Sequence, residues 1–342
     1  MAEAGQSLDP GSLWRTWKRG GRPVLAYSRR PPLEGRGMPR AIRQFPYTPV
    51  LGWSASRYDL FSICKRRYFF QYYAKYDREV PIRRLTRFKE LTTAPMEIGT
   101  IVHEVIEALL NRLRTTAEPI DRERFLTFAD QAIARSLETK TFEEVVYGEV
   151  EAVRVEDMQP KVRACLENLL ASDRFRWLIE EAAPRSGQWI IDPPGYGETR
   201  LGELKVYIKV DVLFPLGDLI HILDWKTGKI DPGKHRKQLV GYATWAATHF
   251  GIDPERVRPT LAYLYPAYEE VQQSFNAADL QAFAVQVRAE TAEMYEYCRD
   301  IEQNIPLDKA DFQLVDDQRI CAQCAFRGVC YPESYPARLE DR

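Results

Sequence analysis

The sequence predicts an α/β fold, and three observations carry that prediction. Two strand patterns, 206–214 and 219–226, are joined by Gly217-Asp218, a favoured two-residue hairpin turn. Before them, Ile98, Ile101, Val102, Val105, Leu109 and Leu113 mark one broad apolar helical face. After them, a further helical pattern begins near His235. The expected architecture is a small mixed sheet holding a site, flanked by helices.

The first element is the hairpin. With Gly217 and Asp218 as the turn, Leu216 faces Leu219, and counting back sets Asp211 opposite Asp224. Directly opposed side chains share a face, their Cβ atoms roughly 5 Å apart. Two carboxylates so placed repel unless a cation lies between them or one takes a proton. Lys226, two residues beyond Asp224, projects from the same face. Asp224 also interrupts an apolar run of Leu219, Ile220, Ile222, Leu223 and Trp225, where a lone charge needs a partner. Two acids and a lysine suit metal-assisted phosphodiester hydrolysis.

The surrounding elements give lesser signals. His103 lies within the first helical pattern, with Gly99 permitting a close backbone approach near its start. Gln238 and Tyr242, four residues apart, share a face of the second. Gly228 to Lys234 matches G-x4-G-K, but His235 stands where a phosphate-binding loop needs Ser or Thr, and Asp231-Pro232 stiffens the loop. Nucleotide binding is therefore a minor reading.

Six cysteines occur, and Cys321, Cys324 and Cys330 form C-x2-C-x5-C. Such spacing points to a metal centre rather than to disulfides. Three thiolates leave one ligand missing for tetrahedral zinc or an iron–sulfur cluster. Cys64, in a dense basic and aromatic segment, is the best fourth candidate, and spacing alone separates neither metal. Cys165 and Cys298 sit in helical patterns and read as buried small hydrophobes.

At 342 residues, with 45% hydrophobic and 12% aromatic residues, the chain suits a globular protein with a real core. No stretch approaches the roughly 20 apolar residues of a membrane span, and no signal-peptide pattern occurs. No membrane partner is expected. A cytoplasmic location is expected, an organellar one left open by the Arg-rich start. The net charge of −1 hides a local bias: residues 1–47 hold nine Lys or Arg against three acids, and 118–185 fifteen acids against ten bases. Any nucleic-acid surface must then be local. Arg57, Lys65, Arg66 and Arg67, with Arg83, Arg84, Arg87 and Lys89, interleave with Tyr68, Phe69, Tyr72 and Tyr73 as a patch for phosphates and stacked bases. The organisation expected is a basic, disordered arm over 1–47, one domain over 48–334 with a helical insertion around 118–185, and a tail over 335–342.

Cys64, Gly99-x3-His103, Asp211, Asp224-Trp225-Lys226-Thr227-Gly228, Gln238-x3-Tyr242 and C-x2-C-x5-C stand in that order along the chain. Together they resemble the PD-(D/E)XK nuclease superfamily. The branch matched best is its iron–sulfur branch, which includes RecB/AddB-type nuclease domains, CRISPR adaptation nucleases and exonuclease V. The resemblance spans roughly 50–332, and 54–60 is similar to that branch's opening helix. It implies a restriction-endonuclease-like core plus an iron–sulfur patch joining the N- and C-terminal parts. It implies Mg²⁺ or Mn²⁺ on Asp211, Asp224, the Trp225 carbonyl and His103. Lys226 would serve the attacking water, while Gln238 and Tyr242 would hold the lysine or the DNA. Cys64, Cys321, Cys324 and Cys330 would ligate a 4Fe–4S cluster, with zinc the lesser alternative. The chain departs from the family pattern at Lys65, Ile208 and Val210, none of which removes a catalytic group. The implied activity is a metal-dependent DNA nuclease, an exonuclease on single-stranded DNA or DNA ends. The alternative is a non-catalytic iron–sulfur scaffold that binds nucleic acid. No helicase motif occurs, so an unwinding partner would be a separate chain.

Overall fold

The computed structural model describes residues 42–116, 118–192 and 197–339. The expected basic arm therefore lies outside the described residues up to position 41, as do the last three residues of the tail. The main helices are α1 (Ala55–Ile63), α2 (Lys65–Tyr73), α3 (Ile82–Lys89), α4 (Ala94–Leu113), α5 (Arg122–Thr139), α6 (Val155–Ala171), α7 (Pro232–Phe250) and α8 (Ala277–Tyr295). The strands are β1 (Ile190–Ile191), β2 (Glu198–Leu201), β3 (Leu204–Tyr207), β4 (Val212–Leu216), β5 (Leu219–Lys226), β6 (Val257–Tyr263), β7 (Glu269–Gln272), β8 (Cys298–Asp300) and β9 (Ile305–Pro306).

Five strands form one mixed sheet in the order β1-β4-β5-β6-β7. Only β5 and β6 run parallel, with α7 as the crossover between them. The other neighbours pair antiparallel. The hairpin of β4 and β5 has the expected register, from Leu216↔Leu219 to Val212↔Leu223. Gly217 supplies the positive φ of 61° at its first turn position.

One expected strand is in fact two. The segment 206–214 breaks between β3 and β4, because the chain changes partners there. β3 pairs with β2 as a separate hairpin, whereas β4 joins the main sheet beside β1. The transfer is held by Ile208 N–H donating to the Gly197 carbonyl at 3.0 Å and by Asp192 N–H donating to the Asp211 carbonyl at 2.9 Å. Alternation alone could not reveal it, since Val206, Ile208, Val210 and Val212 are all buried.

The period of two sends alternate β5 residues to two cores. Ile220 and Ile222 pack with α7 and α8, while Leu223 and Trp225 pack with α4, α5 and α6. Asp224 and Lys226 have the parity of Ile220 and Ile222, so they open on the α7 side at the end of the sheet. Helix α4 starts at its Thr93 cap, whose hydroxyl accepts the Met96 N–H, with Pro95 in the first turn. Helix α7 starts at Pro232, three residues before its expected start, and Gly251 at φ 63° ends it. The segment before α1 docks through Trp53, which bridges Val206 and donates its indole N–H to Glu290 at 2.8 Å. Among the described residues no helix is long and apolar enough to cross a membrane.

Candidate active site

The site lies where β4 begins and β5 ends. Continuing the ladder one pair beyond Val212↔Leu223 sets Asp211 against Asp224, as the turn geometry requires. The Trp225 backbone N–H donates to Asp211 Oδ2 at 3.1 Å, locking that carboxylate to the neighbouring strand. Asp224 is the more deeply buried, its side chain 6% exposed against 21% for Asp211.

Helices from the two faces of the sheet hold the pair. From α4, His103 Nε2 lies 2.7 Å from the Trp225 carbonyl and its Nδ1 3.2 Å from Asp211 Oδ2. From α7, Gln238 donates to Asp224 Oδ1 at 3.2 Å and contacts Tyr242 Oη at 2.6 Å, and the Tyr242 hydroxyl donates to the same Oδ1. Lys226 Nζ lies 2.6 Å from Asp224 Oδ2 as an ion pair, out of line for a hydrogen bond. Asp211, Asp224, Lys226, Gln238, Tyr242, His103 and the Trp225 carbonyl, separated by up to 139 positions of sequence (242 − 103), thus meet at one place.

The electrostatics follow from this packing. Burial pushes Asp224 up, and the Asp211 charge pushes it further, against the pull of Lys226. Burial would raise Asp211 too, but the hydrogen bond and charge of His103 outweigh it and hold this carboxyl low. His103 is the mirror case: burial would lower it, and Asp211 and Asp224 raise it. Both its ring nitrogens face oxygen acceptors, the arrangement of an imidazolium. Burial and the Asp224 charge keep the Tyr242 hydroxyl protonated.

The donors fit a hard divalent cation: two carboxylates, a backbone carbonyl and one imidazole, with a buried Asp224 Oδ2 that accepts no hydrogen bond. Among the described residues, though, no three His, Cys, Asp or Glu side chains form a finished cage. His103 and Lys226 instead neutralise the carboxylates. Beside Asp211 and Trp225 opens a groove of about 470 Å³, lined also by Gly99, His103, Glu107 and Lys209. Lys209 pairs with Asp192 at 3.2 Å, a contact that sequence reading missed because the strand break that brings them together is not a local feature.

The four expected cluster cysteines line one small cavity, with Arg67, Leu314, Phe326 and Arg327. Cys64 stands at the corner between α1 and α2, where its Sγ accepts the Arg67 N–H at 3.4 Å. Burial pushes Cys330 up to about 12, and the charges of Cys324, Cys64 and Cys321 push the same way. Cys165 is buried in α6. Cys298 is not helical: α8 ends at Tyr295, and Cys298 begins β8, which pairs with β9.

The basic residues of α1 and α2 are half-buried and turned inward. Arg57 donates to the Gly52 carbonyl at 2.5 Å and covers the Tyr72 ring. Lys65 donates to the Phe61 carbonyl at 2.9 Å and sits on the Phe61 ring, while Arg66 donates to the Phe312 carbonyl at 2.8 Å. At the Gly228–Lys234 loop, Asp231 caps α7, accepting the Gly233 N–H at 3.1 Å. That carboxylate holds the place a nucleotide phosphate would need.

The chain belongs to the PD-(D/E)XK nuclease superfamily, whose family model matches residues 52–331. That membership makes it a nuclease in class, a hydrolase acting on nucleic acids, and metal dependence is usual there. No curated protein matches the chain. Among solved structures it is similar to the crystal structure of SSO0001, at 17% identity over 58% of this chain and 80% of that one, with a TM-score of 0.25.

Proposed function

We propose that this chain is a Mg²⁺- or Mn²⁺-dependent deoxyribonuclease, an exonuclease of the iron–sulfur branch acting on single-stranded DNA or DNA ends. The observation that carries the catalytic reading is the opposition of Asp211 and Asp224, with Lys226 on the same face. When bound by Asp211, Asp224, the Trp225 carbonyl and His103, a divalent ion would acidify water and offset phosphate charge. Tyr242 and Gln238 hold Asp224 by Oδ1, which leaves Oδ2 directed at Lys226 and the site. Lys226, beside Asp224, would offer positive charge as the phosphorane forms. As a ligand, His103 would have to be neutral, its ring proton given up. Exonuclease action and the preference for single strands rest on the sequence resemblance.

A 4Fe–4S cluster on Cys64, Cys321, Cys324 and Cys330 belongs to the same proposal. Its support is that these four thiols, and not Cys165 or Cys298, line one cavity. The deciding experiment incubates the protein with end-labelled single- and double-stranded DNA in Mg²⁺, Mn²⁺ or chelator. Metal-dependent shortening from an end is the expected result. Intact label in both metals, from protein with its full metal content, would leave the scaffold alternative in its place.

A further inference from the structure

Helix α3 carries Arg83, Arg84, Arg87 and Lys89 within eight residues and no acid. Leu85 and Phe88 are its buried residues. At about 100° per residue, Arg83 and Arg87 fall on the opposite face, while Arg84 and Lys89 flank the buried stripe on its two sides. Arg83, Arg84 and Lys89 are exposed and have no hydrogen-bond or ion-pair partner among the described residues. This is the reverse of α1 and α2, whose cations are turned inward.

Neighbouring acids do not neutralise Arg83, Arg84 and Lys89. Asp77 and Glu79 are engaged by Lys309 at 3.1 and 2.6 Å. Glu144 accepts the Ala94 N–H at 2.8 Å, and Glu97 is buried. Glu90, at the C-cap, is the exposed exception. The arrangement costs the helix stability by itself. Arg83 and Arg84 sit in the first turn, against the macrodipole, and Arg83 and Arg87 are a like-charge i,i+4 pair. Pro81 offers no capping side chain to the free N–H groups there. All three costs are relieved by an anion.

We infer that α3 is a second contact surface for the nucleic-acid substrate, gripping the phosphate backbone away from the scissile bond. The inference rests on the nuclease reading and adds to it where the strand runs. Four residues join α3 to α4, so Lys89 and Ala94 are five steps apart, at most about 18 Å. His103 lies nine residues into α4 (103 − 94), or about 13.5 Å along its axis. Adding the rise of about 9 Å along α3 from Arg83 to Lys89, the two sites lie within roughly 40 Å, the span of about twelve stacked phosphates at 3.4 Å each.

The test compares wild type with Arg83→Gln/Arg84→Gln/Lys89→Gln, using fluorescein-labelled 30-nucleotide oligo-dT. Binding is followed by anisotropy in chelator from 50 to 200 mM salt, and cleavage in Mg²⁺. The variant should bind at least tenfold more weakly. Its plot of log affinity against log salt should be shallower by about 2, at roughly 0.7 per lost single-strand phosphate contact. KM should rise with kcat unchanged, and Arg83→Lys/Arg84→Lys/Lys89→Arg should restore wild-type binding. An unchanged affinity and slope in a variant with wild-type melting overturns the inference while cleavage continues. A shallower slope for a protein that binds but never cuts supports α3 and overturns the nuclease reading instead.

Discussion

The two regions proposed to hold metal differ in what holds them together. At the end of the sheet, each carboxylate already has protein partners: Asp211 has His103 and the Trp225 N–H, and Asp224 has Lys226, Gln238 and Tyr242. The four-cysteine cavity offers its thiols chiefly apolar neighbours, with Arg66, Arg67 and Arg327 to oppose charge. The first region can be assembled empty, because cationic side chains stand in for the ion. In the second, burial pushes the Cys321, Cys324 and Cys330 thiols up, against ionisation. On the proposed function, one region serves turnover and the other cross-linking.

The largest expected effect breaks the first region alone. Asp224→Ala should abolish DNA cleavage while the melting temperature changes little, because lost repulsion with Asp211 offsets the partners taken from Tyr242 and Lys226. Lys226→Ala should slow the saturated rate by about 10²–10³-fold and leave the metal concentration for half-maximal rate unmoved, since an ammonium stabilises charge but ligates nothing. Metal titrations on both variants separate the roles. Wild-type cleavage by Asp224→Ala would sink the assignment.

The next effect breaks the second region. A centre shared by Cys64 and Cys321 closes a loop of 257 residues (321 − 64). Such a cross-link contributes at most about 5 kcal/mol in the chain-entropy model, which approaches a whole domain's net stability. Arg66, bonded to the Gln313 and Phe312 carbonyls, retains part of that closure without a metal. Cys64→Ala should lose bound metal and melt far lower, whereas Cys165→Ala should keep the metal and lose only local packing. Iron and zinc analysis with thermal melts checks both. Full metal content in Cys64→Ala would show a different fourth ligand.

The smallest effect sharpens the comparison through pH. In the carboxylate pair the shifts oppose: Asp211 is lowered, Asp224 raised, and their contributions to stability partly cancel as pH falls. His249 and His221 have no such compensation. Burial pushes each down to about 4. Above the unfolded value near 6.5 neither state is charged, so neither histidine matters. Below it the unfolded chain takes up the proton first, and stability falls until pH reaches about 4. His249 should account for on the order of 2 kcal/mol of that loss after discounting solvent contact, and His221, half-buried, for less. Denaturant melts from pH 7 to 4 should show this slope, reduced in His249→Gln.

The sequence by itself determined the hairpin and what hangs on it. A Gly-Asp turn and a period of two are local rules, so the register, the opposition of Asp211 to Asp224 and the common face of Lys226 could be counted from Leu216 and Leu219. The helical faces of α4 and α7 were legible for the same reason, because i and i+4 neighbours need no knowledge of the rest of the chain. Tertiary structure decided everything that depends on partners distant in sequence. It broke 206–214 where the chain passes from β2 to β1, turned the cations of α1 and α2 inward while leaving Arg83, Arg84 and Lys89 of α3 in water, and set His103 against the Trp225 carbonyl. Nothing local distinguishes a buried arginine from a free one. Only the packing of the two cores fixes which side of each helix meets solvent.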